Sequence, residues 1–325
     1  MIRNAMLESI GENLMDKFKM VFIEFVATCN YKCLFCRTSY MYMPSTIRLS
    51  EFKDFESLID MADQVNISGY GELALSPDFN EIINILTKHN KKIELVTNAS
   101  LLTDEKIKVL ENSSLDILNI SLNSLNPETY KKLTTYGNLE HILSNVNKIL
   151  NSKIRNIRYL QCSFVINALN FKEIKNIIDF GAENNINIRL HDLVTSIKDY
   201  DPTLLFEDNE ENRKYFEECN KYGFEKLGDK YHPFQFETRR RDGEFKTIEN
   251  EQFLSDIIKG CDWIDRIFNI DFYGDVYSCC WSRCKLGNIK QNTLEEIMNG
   301  EVYKDLKKNI KIGSSKYCSD CRRLG

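Results

Sequence analysis

The sequence predicts an α/β protein built on a parallel sheet, with a small cysteine-rich unit behind it. Three observations predict it. Six short apolar runs alternate with amphipathic helical segments over residues 21–194. Polar and glycine-containing residues gather just downstream of those runs, where parallel sheets place their chemistry. Six of the 11 cysteines fall after residue 260, at short intervals. Six strand–helix units fit either an open doubly wound sheet or a partial barrel.

The elements follow in order. Residues 21–26, "VFIEFV", form a first strand that runs into a cysteine loop. Ser50 is expected to cap a helix carrying Phe52, Phe55, Leu58, Ile59 and Ala62 on one face. Residues 65–69 are a second strand, and Ser76 with Pro77 opens a helix holding Phe79, Ile82, Ile83 and Leu86 inward. Residues 92–98 form a third strand, followed by the short helix "DEKIKVLEN". Residues 115–123 form a fourth, and Asn126 with Pro127 starts more helix. Residues 157–167 form a fifth. Asn170 is expected to cap a helix with Ile174, Ile177 and Ile178 inward, and residues 186–194 form the sixth strand. Residues 200–254 are polar, with a helix at "FEDNEENRKYFEEC" and a loop or hairpin at "ETRRRDGEFKT". Then "RIFNIDFYGDVYSCCW" reads as a hairpin turning at Tyr273 and Gly274, and "NTLEEIMNGEVYKDLKK" as one or two helices.

Composition narrows the function classes. The 325 residues are 42% apolar and 28% charged, as in an ordinary globular protein. A net charge of −5 leaves no electrostatic footprint for nucleic acid. No apolar run is long enough to span a membrane, and the first residues lack a signal peptide's apolar core. A cytoplasmic location is therefore expected, where disulfides are rare and clustered thiols point to metal.

Cys29, Cys33 and Cys36 stand as C-x3-C-x2-C directly after the first strand. A structural zinc site takes four ligands, and four thiolates close a [4Fe–4S] cluster. Three thiolates leave one iron open to a ligand that is not protein.

"CNYKCLFC" resembles the cysteine motif of radical S-adenosylmethionine (SAM) enzymes, with the aromatic Phe35 before the third cysteine. The resemblance implies a partial (β/α)6 barrel, a [4Fe–4S] cluster whose open iron binds SAM, and reductive cleavage of SAM to a 5′-deoxyadenosyl radical. "SGYGELAL" resembles the family's glycine-rich strand end. By that resemblance Gly69, Tyr70, Gly71 and Glu72 are expected to meet the methionyl amino group, with Tyr70 where glycine is often found. Asn98, Ser121 and Asn123 are expected at the ribose or carboxylate.

The last 65 residues resemble the SPASM/twitch extension of the same family. Cys261, Cys279, Cys318 and Cys321 are the ligands the resemblance implies for one auxiliary [4Fe–4S] cluster, with Cys280 or Cys284 as alternatives to Cys279. The spacing resembles that of an aminocyclitol dehydrogenase. The expected organisation is a barrel over residues 1–199, a linking segment over 200–257 that completes its side, and the auxiliary domain over 258–325.

The expected reaction is hydrogen abstraction from a sugar, aminosugar or aminocyclitol, with net oxidation assisted by the auxiliary cluster. The alternative is maturation or epimerisation of a ribosomally made peptide. Only 28 residues precede Cys29, too few for the leader-binding domain many peptide maturases carry, which favours the small molecule. Cys162 and Cys219 are candidate hydrogen donors for an epimerisation, although Cys162 also fits a strand's buried face. An electron donor such as flavodoxin or ferredoxin is the expected protein partner.

Overall fold

The computed structural model describes residues 19–36, 45–191, 193, 202–207, 209–233, 261, 263–279 and 284–312. The expected helix-capping Ser50 lies instead in a 3-10 turn, Leu49–Glu51, and helix α1 (Phe55–Asp60) is capped by Asp54, which accepts from the Ser57 amide at 3.1 Å. Aspartate satisfies one of the orphan N–H groups of the first turn. The remaining barrel helices are α2 (Phe79–Lys88), α3 (Asp104–Glu111), α4 (Pro127–Thr134), α5 (Leu139–Leu150) and α6 (Ile174–Asn184). The Asn170 side chain caps nothing. It bonds the Asn123 and Val165 carbonyls, tying two strand ends together.

Strands β1 (Met20–Ile23), β2 (Gln64–Ile67), β3 (Lys92–Thr97), β4 (Leu115–Ser121), β5 (Tyr159–Val165) and β6 (Asn187–His191) pair in parallel in sequence order. Helix α7 (Glu210–Leu227) leads to a two-residue β7 (Tyr231–His232) beside β6. The hairpin β8 (Ile267–Ile270) and β9 (Asp275–Tyr277) turns at Gly274, whose φ of +85° suits glycine. β10 (Lys285–Asn288) pairs antiparallel with β9. Helices α8 (Leu294–Met298) and α9 (Glu301–Lys311) follow.

One feature was not expected. β8 pairs in parallel with β1, Met20 opposite Ile267 and Ile23 opposite Ile270. The cysteine-rich unit therefore extends the barrel's own ten-stranded sheet.

The period of two along each strand divides the sheet into two faces. Val21, Val65, Ile93 and Phe268 lie in register on one face, all buried. On the same face Ile188 meets α6, where a Cβ on Gly181 would touch its Cγ1 at 2.4 Å. This is the helix-facing core, and each fully buried aliphatic side chain there contributes about 1.5–3 kcal/mol. The opposite, concave face carries polar side chains instead. Asn66, Asn119, Gln161 and Ser163 are all under 9% exposed there. No described helix is long and apolar enough to cross a membrane.

Candidate active site

The loop after β1 is closed at its base. Ala27 donates to Ser45 O at 2.8 Å and Ile47 to Phe25 O at 2.7 Å, with Val26 opposite Thr46. Its far side docks on the end of α4. The amides of Lys32 and Leu34 donate to the carbonyls of Thr134 and Leu133, which the helix leaves unpaired, and the Thr135 hydroxyl donates to Lys32 O at 2.8 Å. Phe35 and Leu34 pack against Leu133, Leu193 and Leu204. The Phe35 ring thus helps seat the loop.

Inside this frame Cys29 and Cys33 both sense the neighbouring Cys36. Burial pushes Cys29 up to about 11, with the charges of Glu72 and Cys36 adding to the rise. The Tyr31 amide and the Asn98 side chain point at its sulfur from 3.4 and 3.7 Å and pull the other way. Burial raises Cys33 further, and the neighbouring Cys36 and Cys29 add to it. Such thiols ionise when a cation is there to compensate them. The Tyr130 hydroxyl is buried beside Cys33 and Tyr31.

Glu72, Asn98, Gly71 and Asn123 each have a visible structural task. Glu72 is 2% exposed and points inward. Its carboxylate accepts from Thr97 Oγ1 and the Asn98 amide, both at 2.8 Å, and from the Ala74 amide at 3.1 Å. Burial raises its pKa, against these donors and Lys106. Glu72 therefore braces β2 against β3, and its carboxylate is not presented to a ligand. Asn98 bonds Asn30 Oδ1 at 3.0 Å and accepts from the Ser100 amide and hydroxyl, beside Cys29. Gly71 presses on the loop backbone: a Cβ there would lie 1.8 Å from Val26 O. Gly69 takes φ +149° against Glu24. Tyr70 is half-buried next to it. Asn123 Oδ1 accepts from the Val165 amide at 2.7 Å, so it fixes β5 rather than reaching outward. Ser121 is half-buried at the end of β4, opposite Ser163.

The two cysteines expected as hydrogen donors are misplaced for that role. Cys162 sits on the helix-facing side in register with Ile120 and Ile188, fully buried. Cys219 is fully buried on α7, near Tyr215 and Lys175 on the outer layer. Neither faces the concave wall.

Sequence reasoning missed a chain across that wall. The Ser163 hydroxyl donates to Asn119 Oδ1 at 2.7 Å, and His191 Nε2 lies 3.0 Å from Ser163 Oγ. A polar residue at alternate positions of three successive apolar strands was the available signal. Burial, with Arg189 and His232 adding to it, pushes His191 down to about 4 from its ordinary 6.5. The unfolded chain then takes up this proton at 6.5 and the folded one only near 4. Stability is expected to fall as pH drops through that window, by roughly 3 kcal/mol in full. Denaturant midpoints for the protein and for His191→Gln measure it: the variant should lack this part of the acid loss, and equal slopes would refute it.

The described cysteines expected as auxiliary ligands sit at the other end of the strands. Cys261 precedes β8, Cys279 follows β9 and Cys284 precedes β10, which is one end of an antiparallel unit. Because β8 runs parallel to β1, that end is opposite the Cys29 loop. At least about 10 Å of strand separates the two sets. Cys280, Cys318 and Cys321 lie outside the described residues, as does the segment "ETRRRDGEFKT".

A family model for the radical SAM superfamily matches residues 23–181, and one for SPASM, an iron–sulfur cluster-binding domain, matches residues 261–322. The chain belongs to the radical SAM superfamily. A probable GTP 3′,8-cyclase of Methanocaldococcus jannaschii is 36% identical over 118 residues, 36% of this chain and 38% of that protein. One of Thermococcus kodakarensis is 27% identical over 227 residues, 67% of each chain. The radical SAM fold also matches Streptococcus suis SuiB bound to its precursor peptide SuiA. There the TM-score is 0.66 at 16% identity, covering 94% of this chain and 71% of that one. The peptide-bound anSMEcpe structure matches at 0.60 and 15%, covering 93% of this chain and 86% of that one.

These findings overturn the expected oxidation of a sugar or aminocyclitol. The sequence relatives are named as GTP cyclases, and the fold neighbours with TM-scores of 0.60 and above include peptide complexes. The spacing that suggested a dehydrogenase reflects how an auxiliary cluster is held, which leaves the substrate free to differ. A radical SAM domain brings a SAM-binding [4Fe–4S] cluster and SAM itself, and a SPASM domain brings auxiliary iron–sulfur. The residues present fit the first cluster. No three His, Cys, Asp or Glu side chains among the described residues stand close enough to share one metal ion. Three thiols in one short loop, with Cys29 and Cys33 both sensing Cys36, are a matching donor set.

Proposed function

We propose that this protein is a radical SAM enzyme that abstracts hydrogen from a peptide lying along the concave wall. Cys29, Cys33 and Cys36 would hold the SAM-binding cluster, and Cys261 and Cys279, with Cys318 and Cys321, the auxiliary one. With SAM bound, the SAM-binding cluster would supply abstraction of hydrogen from substrate carbon, and a donor such as flavodoxin or ferredoxin would supply the electron.

The chain's own residues position and shield. The clamp at 25–27 and 45–47 and the α4 docking hold the three thiols in place. Gly71 lets the β2 end approach the loop backbone, and Asn98 offers an N–H to the Cys29 sulfur. Ser121, Gly69 and the Tyr70 backbone are the groups left to meet SAM.

The observation that carries the peptide reading is the chemistry of the concave wall. It is lined by carboxamides and hydroxyls, Asn66, Asn119, Gln161 and Ser163 among them, between the two cysteine sets. Carboxamides both donate and accept, as a peptide backbone does. The peptide-bound fold neighbours support this reading, and the GTP cyclases argue for a nucleotide. Deuterium transfer separates the two. Reconstituted protein, SAM and a reductant are incubated with deuterated short peptides encoded beside its gene, or with ribose-deuterated GTP. Deuterium should reach 5′-deoxyadenosine from a peptide. Transfer from GTP alone would overturn the reading.

A further inference from the structure

The concave wall carries one basic spot, on β6 and β7, three strands away from Glu94 of β3. Arg189, His191 and His232 share it. On β6 Ile188 faces helix α6, and on β7 the Tyr231 ring faces Gly223 of α7, where a Cβ would lie 2.5 Å from it. Their alternate neighbours must face the other way. Arg189 stands in register between Ser163 of β5 and His232 of β7, with His191 two residues along the same strand.

These three side chains have no acidic ion-pair partner among the described residues, and the pKa values of both imidazoles are lowered by burial and by Arg189. Arg189 makes no ion pair there, although it is exposed. The charged groups acting on His191 are Arg189 from its own strand and His232 from β7, and those on β5 that flank it, Ser163 and Val165, do not titrate. His191 is also oriented. The one proton of the Ser163 hydroxyl goes to Asn119, so Ser163 accepts from His191 Nε2–H. Its Nδ1 then carries the lone pair and becomes a donor only when protonated. A guanidinium with no ion-pair partner among the described residues holds its two neighbouring imidazoles neutral, in a protein whose net charge is −5. An anion entering there would be met by a fork of N–H donors and would draw protons onto the imidazoles.

We infer that Arg189, His191 and His232 form a recognition subsite for a carboxylate side chain of the peptide substrate. This rests on the peptide reading, and it names an acidic residue near the reacting one.

The test uses the reconstituted holoprotein with SAM. Calorimetric titrations compare Ac-Ala-Glu-Ala-NH2, its neutral Gln counterpart and inorganic phosphate, near pH 6 and near pH 8. The Glu peptide should bind about 10-fold more tightly than the Gln peptide near pH 6, and the preference should shrink near pH 8. Arg189→Gln should erase the preference and leave SAM affinity as it was. His191→Gln should flatten the pH dependence while some preference for Glu remains. Equal binding of the two peptides removes the subsite and leaves the peptide reading standing. Binding of phosphate through Arg189 with neither peptide bound overturns both and points to a nucleotide. Loss of SAM affinity in Arg189→Gln would assign the cations to the methionyl carboxylate instead.

Discussion

Changing Cys29, Cys33 and Cys36 together to Ala should remove about four irons per chain and abolish 5′-deoxyadenosine formation. The loop itself should survive. Its base is closed by backbone bonds at 25–27 and 45–47, and its tip by amides donating to α4 carbonyls, none of which involves a thiol. Iron assay, SAM turnover and circular dichroism on one sample check this. A variant that keeps its secondary structure but loses the activity meets the expectation. One that still makes 5′-deoxyadenosine would show that the open cluster is held elsewhere.

Gly71→Ala should be nearly as damaging by another route. The new Cβ would sit 1.8 Å from Val26 O, 2.4 Å from Val26 C and 2.9 Å from Thr28 O. All three are backbone atoms, and no rotamer change relieves them. Either β2 separates from the loop or the loop moves, carrying Cys29 with it. A loss of at least about 3 kcal/mol is expected, with iron content falling in parallel. Gly228→Ala is the control: its φ is +54° but nothing lies within 4 Å, so it should lose only about 1 kcal/mol and keep its iron. Gly71→Ala melting alongside the parent protein would refute the close approach.

The sequence made the repeating part of the fold legible, because period-two strands and capped amphipathic helices are local signals. Asn126 with Pro127 opens α4 as expected, and Tyr273 with Gly274 turns the hairpin. Ser50 and Asn170 failed as caps because competing groups nearby, the Asp54 side chain and the strand-end backbone carbonyls, decide the local bonding. Cys162 was half legible. Its neighbours Leu160 and Phe164 on the same face mark a core row, and that periodicity outweighs the reactivity of a thiol. What Glu72 does was hidden, since its three donors come from β3 and the turn after β2, known only once the sheet is assembled. The His191–Ser163–Asn119 chain was hidden for the same reason, drawing one residue from each of three strands. The substrate was misread because the C-terminal cysteine spacing records how thiols are arranged, and the concave wall that meets the substrate is composed by strands far apart in sequence.

The pairing of β1 with β8 constrains how the molecule comes to be made. The first strand is synthesised early, yet the partner on its outer edge lies about 250 residues downstream. Until residues 267–270 emerge, a growing chain with β2 to β6 in place still presents one side of β1 as an unpaired edge. Open edges of apolar strands recruit other chains, and late-closing contacts fold slowly. Any shortened version ending before β8 keeps that edge permanently. The hairpin is thus a protective cover for the barrel as well as a holder of cysteines, which gives the cell a reason to retain it independent of any electron it helps to move.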